Sequence, residues 1–308
     1  MSTILVTGGS GLVGSYLKNK LPDATYLSSK DYDLTKESEV IKMYSDHKPE
    51  TVIHLAAKVG GILDNIHKPA DYFLDNIKMN TFLIDHAYKT KVSRFIAILS
   101  SCIYPDTAKK YPLEEKDLHA GPPTETNFSY GYAKRAMAVQ IEAYNKQYNT
   151  QYQYLIPCNL FGSGDKDEEE KSHFVTALIK KIIIAKLENK SYITLYGDGS
   201  PLRQFLHASD FANILSLVIK NNILESFNVC GHETLTVKEI AALALSACDS
   251  GHFNIVWDSS KPNGQLRKDM SLEKFKQLFP EYTFTTLFDG IKDTYNIEYD
   301  KFSKRHCR

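Results

Sequence analysis

The chain has 308 residues, enough to bury a full core as one large domain or as two intimate lobes. Lysine plus arginine and aspartate plus glutamate both number 37, so no net field recruits nucleic acid or an anionic membrane surface. No apolar run approaches the roughly 20 residues that cross a bilayer and no basic-then-apolar leader opens the chain, so the expected location is cytoplasmic.

The first half alternates short β-branched runs with longer helical patterns. Strand-like residues 3–7 precede a helix over 12–20, 24–27 precede 36–46, and 51–55 precede 69–89. The rhythm continues with a strand over 94–99, a helix over 129–147 and a strand over 152–156. Such alternation predicts an α/β fold, a Rossmann-type doubly wound parallel sheet with helices on both faces. Beyond Phe161 the pattern loosens. Helices are expected near 174–187, 210–219 and 237–247, and strand pieces near 192–195, 205–207 and 227–229. Residues 1–165 are therefore expected to bind a dinucleotide, and 166–308 to form mainly a smaller α/β substrate lobe, with segments near 203–230 returning to the first sheet. The acidic run 168–170 reads as a solvated loop.

Gly8, Gly11 and Gly14 follow the first strand and open the first helix. Small residues there let the backbone approach a pyrophosphate, whose charge is met by unpaired amides. At the end of the second strand stands Ser28-Ser29-Lys30. Hydroxyls and a cation suit the 2′-phosphate of NADP, although Asp31 and Asp33 keep NAD open.

Tyr130 and Lys134 lie four apart on one helical face, continued by Met137, Ile141, Tyr144 and Tyr148. A lysine so placed is expected to lower the phenol pKa and make Tyr130 a usable acid. Ser100-Ser101-Cys102-Ile103-Tyr104-Pro105 sits where the fourth strand runs out, the edge at which such folds bind ligands. Of five cysteines, none with metal-type spacing, Cys158, Cys230 and Cys248 read as small buried apolar residues, and no metal is expected.

These motifs, together with Val59-Gly60-Gly61, Asn159-Leu160-Phe161-Gly162, Ser172-His173, Arg203-Gln204-Phe205-Leu206-His207 and Lys261-Pro262-Asn263-Gly264, resemble the extended short-chain dehydrogenase/reductase family. Within it the chain is most similar to the GDP-L-fucose synthases, which are 3,5-epimerase-4-reductases of GDP-4-dehydro-6-deoxy-D-mannose. The resemblance implies a reductive triad of Ser100, Tyr130 and Lys134, and an epimerising acid/base pair of Cys102 and His173. It implies NADP contacts from Gly8, Ser10, Gly11, Leu12, Val13, Gly14, Ser29, Lys30, Asp33, Leu34, Leu55, Ala56, Ala57, Tyr130, Lys134, Pro157, Asn159, Leu160 and His173. A GDP-sugar would meet Ser101, Cys102, Asn127, Asn159, Lys181, Tyr196, Arg203 and Lys268, with Arg203 and Lys268 on its diphosphate. A homodimer seamed by the helices 69–89 and 129–147 is implied as well.

The alternatives are a 4-reductase of another GDP-4-keto sugar and an NADPH-sensing binding protein, which would have no use for Cys102, Tyr130, Lys134 and His173. The chain departs from the family pattern at Ser163, where relatives carry proline, at Thr176, another proline position, and at Ser10 and Tyr196.

Overall fold

The structure, a computed structural model, describes residues 3–165 and 173–306. The acidic run expected to be a solvated loop, together with Ser172 and Cys307, lies outside the described residues. In chain order the elements are β1 (Ile4–Thr7), α1 (Leu12–Leu17), β2 (Thr25–Leu27), α2 (Glu37–His47), β3 (Thr51–His54), α3 (Ile62–His67), α4 (Pro69–Lys89), β4 (Arg94–Ile98), α5 (Phe128–Tyr148), β5 (Gln151–Pro157) and β6 (Asn159–Phe161). There follow α6 (Phe174–Leu187), β7 (Tyr192–Tyr196), β8 (Leu202–Arg203), β9 (Phe205–His207), α7 (Ala208–Lys220), β10 (Phe227–Val229), β11 (Leu235–Thr236), α8 (Val237–Ala247), β12 (Asn254–Asp258), α9 (Glu273–Leu278) and α10 (Leu287–His306).

Six parallel strands form the main sheet in the order β10-β5-β4-β3-β1-β2. The order reverses beside β1, which makes the sheet doubly wound and opens a crevice at the carboxyl ends of the strands. Strands covered on both faces need apolar side chains throughout, and Val52, Ile53, Phe95, Ile96, Leu155 and Ile156 are each fully buried. A second core gathers Phe161, Ile179, Ile183, Ile240, Leu245 and Ile291 among α6, α8 and α10. Cys158, Cys230 and Cys248 are buried free thiols.

One polar chain crosses the main core. His54 at the end of β3 meets Thr7 Oγ1 at 2.8 Å through Nδ1 and Asn80 Oδ1 at 3.0 Å through Nε2, and Asn80 Nδ2 donates to the Ala133 carbonyl at 3.3 Å. The chain ties β1, β3, α4 and α5 together beneath the crevice. Burial, seconded by the charge of Lys134, pushes the His54 imidazole down to about 3. An unfolded histidine takes up its proton near pH 6.5 whereas the folded one stays neutral, so folding stability is complete above that pH and falls by about 1.4 kcal/mol per unit below it. Denaturant unfolding of His54→Gln between about pH 6 and pH 4 should therefore show a flatter acid limb than the native chain. Parallel limbs would remove His54 from the acid response.

Beyond Ala247 the periodicity reading assigned no element, yet β12, α9 and the long helix α10 occur there. The signal for α10 was present in Leu287, Ile291, Tyr295, Tyr299 and Phe302, spaced three or four apart. Interleaved charges keep its mean hydropathy low and hide the stripe. The strands β6, β8 and β11 were not read from the sequence; each is two or three residues long and is defined by its pairing across the fold.

Candidate active site

A cavity of about 1070 Å³ opens where β1 to β5 end and extends toward α6 and the segment containing Lys268. Its floor is the glycine turn. Gly8 has φ +71°, and a Cβ there would lie 2.6 Å from the Ala56 amide nitrogen, so only glycine fits between β1 and the end of β3. Gly14 sits against Gly9, whose carbonyl a Cβ would meet at 2.6 Å. That contact seats α1 directly on the turn and leaves its first amides facing the cavity.

At the end of β2 the two acids flagged in the sequence are already engaged. Asp31 accepts from the Ser28 amide at 2.7 Å and the Ser28 hydroxyl at 2.8 Å. Asp33 accepts from the Thr35 amide and hydroxyl and pairs with Lys36 at 3.2 Å. Asp31 is not on the cavity wall, whereas Asp33, held by Thr35 and Lys36, is, together with Ser10, Ser28 and Ser29.

Of the expected cofactor residues, all but Lys30 line the cavity, and of the expected substrate residues all but Ser101. Lys30 is exposed on the turn after β2. Ser101 is 2 % exposed, because the 3-10 turn Ser101–Ile103 directs Ser100 and Cys102 to the cavity and the serine between them inward.

Tyr130 and Lys134 sit one turn apart on α5, both buried. Lys134 Nζ donates to the Ile98 carbonyl at 2.7 Å, and burial pushes its ammonium down to about 7. The expected lowering of the Tyr130 phenol does not occur within the protein alone. Burial raises it well above the usual tyrosine range, the neighbouring Cys102 adds to the rise, and a hydrogen bond with the Ser100 hydroxyl opposes it. The reason is that Lys134 gives its hydrogen bond to the backbone and carries a charge weakened by the same burial.

Cys102 is in the opposite situation. Burial alone would raise the thiol, but the Lys268 charge, with hydrogen bonds from Lys268, Ser100 and Asn127, brings it below the usual thiol value. Lys268 Nζ lies 3.0 Å and Asn127 Nδ2 2.9 Å from its sulfur. The resemblance implies a diphosphate contact for Lys268, and in the fold its ammonium also meets the Cys102 sulfur.

His173 caps α6, and its Nδ1 is 3.1 Å from Asp165 Oδ2, which also accepts from the His173 amide at 2.8 Å. Asp165 is itself set by its loop. The Ser163 hydroxyl donates to the buried Glu298 carboxylate at 2.7 Å, Lys301 donates to both, and the Ser163 amide donates to the Tyr16 hydroxyl at 3.0 Å. A proline could make none of the three Ser163 bonds, so Glu298 on α10 accounts structurally for the serine at this position. Thr176, the other departure, meets Gly162 of the same loop through its hydroxyl. Neither Asp165 nor Glu298 was recognised from sequence, since no motif spacing marks either one. If His173 exchanges a proton with substrate, Asp165→Asn should slow that exchange about 10- to 100-fold, less than the roughly 10²- to 10⁴-fold that the acid or base itself is worth because the imidazole is retained, while hydride transfer persists. Unchanged exchange would remove Asp165 from that role.

Residues 4–230 match the model of the NAD dependent epimerase/dehydratase family. The GDP-L-fucose synthase of Dictyostelium discoideum is 33% identical over 95% of this chain and 93% of the relative. The GDP-L-colitose synthase of Yersinia pseudotuberculosis is 34% identical over 86% of this chain and 88% of the relative. Among solved structures, a GDP-L-fucose synthetase from Naegleria fowleri bound to NADP superposes with a TM-score of 0.88 at 31% identity, covering 98% of this chain and 94% of the other. With nearly the whole chain spanned by these matches and the glycine turn, Tyr130 and Lys134 meeting in one cavity, the chain belongs to the NAD dependent epimerase/dehydratase family, in its GDP-L-fucose synthase branch.

Proposed function

We propose that this protein converts GDP-4-dehydro-6-deoxy-D-mannose to GDP-L-fucose with NADPH, inverting C3 and C5 before reducing the C4 ketone. The observation that carries the reading is that two acid–base sets share one cavity, Cys102 with His173 and Ser100 with Tyr130 and Lys134. Reduction alone has no use for the first set.

The residues present fit the cofactor: Gly8 packed on Ala56 and Gly14 packed on Gly9 set the start of α1 against the cavity, Ser10 and Ser29 line it, and the Asp33 carboxylate on the same wall is engaged by Thr35 and Lys36. NADPH, when bound there, supplies the hydride for C4. Protons on C3 and C5 are acidic because they flank the ketone. Cys102 takes one such proton, the carbon–hydrogen electron pair passing into the enolate, and His173 returns a proton to the opposite face. Ser100 and Tyr130 hydrogen-bond the C4 oxygen, and Tyr130 then gives up its phenolic proton to the alkoxide. Lys134, one turn below, stabilises the resulting phenolate.

In the same reading, residues 1–165 mainly hold the cofactor and 166–308 the sugar nucleotide, with Arg203, Lys181 and Tyr196 around it. The protein would work in the cytosol as a homodimer joined across α4 and α5, whose outer faces expose Phe73, Leu74, Val139 and Tyr148.

Purified protein with NADPH and GDP-4-dehydro-6-deoxy-D-mannose, followed by NMR of the product, tests the proposal. GDP-L-fucose is expected. Reduction with retention at C3 and C5 would instead identify a simple 4-reductase.

A further inference from the structure

We infer that Lys268 activates the epimerising thiol, its ammonium holding Cys102 as a thiolate before any sugar nucleotide arrives. The inference rests on the role proposed above for Cys102, and it assigns to Lys268 a task separate from diphosphate binding.

A buried sulfur does not ionise unless positive charge faces it. The charged and titratable groups about Cys102 are Lys268, Arg203 and Tyr130, and its neutral partners are Ser100 and Asn127. An ionised Tyr130 would work against the thiolate. Arg203 donates to the Leu202 carbonyl at 2.8 Å, and among the described residues its hydrogen bonds do not include the sulfur. Among the described residues, Lys268 is the basic group in direct contact with the sulfur, at 3.0 Å.

Two features free Lys268 for this contact. The adjacent carboxylate, Asp269, which could have captured it, is occupied by Arg267 at 2.6 Å and 3.1 Å. The segment is also pinned on both sides. Gln265 donates to the Pro105 and Asp106 carbonyls and accepts from Thr124, the Asp269 carbonyl accepts from the Leu113 amide at 2.8 Å, and the Met270 amide donates to Gln204 at 2.7 Å. Lys268 is 7 % exposed, so its side chain is held rather than sampling solvent. During catalysis the ammonium keeps its proton: the thiolate sulfur forms the S–H bond as the substrate C–H bond breaks, and the lysine alters only how much thiolate is present.

The test needs no turnover. Iodoacetamide alkylation of Cys102, resolved from the other cysteines by peptide mass spectrometry, is followed against pH in the native protein, Lys268→Met, Lys268→Gln and Lys268→Arg. An opposite charge at this range moves a pKa by roughly 1 to 3 units. Both charge-removing variants should therefore shift the midpoint up by that amount and slow alkylation at pH 7 about tenfold or more, with the limiting rate at high pH retained. Lys268→Arg should restore most of the native profile. Lys268→Gln keeps a hydrogen-bond donor, which guards against loss of fold, and NADPH binding reports that the cavity is intact. An unmoved midpoint, even with a raised KM for the GDP-sugar, would leave Lys268 a diphosphate contact and overturn the inference. Failure of the product assay with an intact midpoint shift would count against the proposed reaction and not against the Lys268–Cys102 pair.

Discussion

Replacing Cys102 by serine should abolish incorporation of solvent deuterium at C3 and C5, a loss of at least about 100-fold, while reduction of an already epimerised 4-ketone by NADPH continues. A serine hydroxyl in the same place is too weakly acidic to furnish an anion near neutral pH, even beside Lys268 at the position where it now lies 3.0 Å from the sulfur. General acid–base participation is worth roughly 10²- to 10⁴-fold, which sets the expected size. The measurement is NMR of substrate incubated in deuterated water without NADPH, alongside NADPH consumption with the epimerised ketone. Exchange at the native rate in Cys102→Ser would sink the assignment of the thiol as base.

Tyr130→Phe should give the reciprocal result. Without the phenol no proton reaches the C4 oxygen as hydride arrives, so NADPH oxidation should fall about 10²- to 10⁴-fold while deuterium exchange at C3 and C5 survives. The pH dependence has a stated sign. Burial holds the Tyr130 phenol protonated well above neutrality, and burial brings Lys134 down to about 7. The acid form of Tyr130 is thus present across the neutral range, and loss of rate on the alkaline side should track loss of the Lys134 charge rather than ionisation of the phenol. Lys134→Met should remove that alkaline limb. A limb that persists in Lys134→Met and vanishes in Tyr130→Phe would reverse the attribution. The two substitutions together separate the acid–base sets, because each set contains a group the other reaction does not use.

The parallel sheet and its helices were legible wherever local pattern suffices. Pro69 opening α4, the β-branched run ending at His54 and the glycines before α1 mark boundaries through their own backbone preferences, and the structure places those elements within a residue or a few of the expectation. The cavity was legible in the same way, since residues at or just past the carboxyl end of a parallel strand are carried to the crevice; Ala56, Ser100 and Pro157 arrive there for that reason. Lys30 and Ser101 show the limit of the rule. Each sits beside a cavity residue in sequence, and a turn sends its side chain elsewhere.

What the amino-acid order established unaided was the doubly wound scaffold, the phosphate turn at Gly8 to Gly14 and the shared helical face of Tyr130 and Lys134, because each depends on contacts within a few residues. Only the folded chain decided the protonation of the site. Lys268 reaches Cys102 across 166 positions, Glu298 reaches Ser163 across 135, and His173 is oriented by an aspartate eight positions before it. Charge and burial act through space, and the depth that lifts the Tyr130 phenol, lowers Lys134 and would silence Cys102 without its lysine is a property of packing that no spacing along the chain encodes.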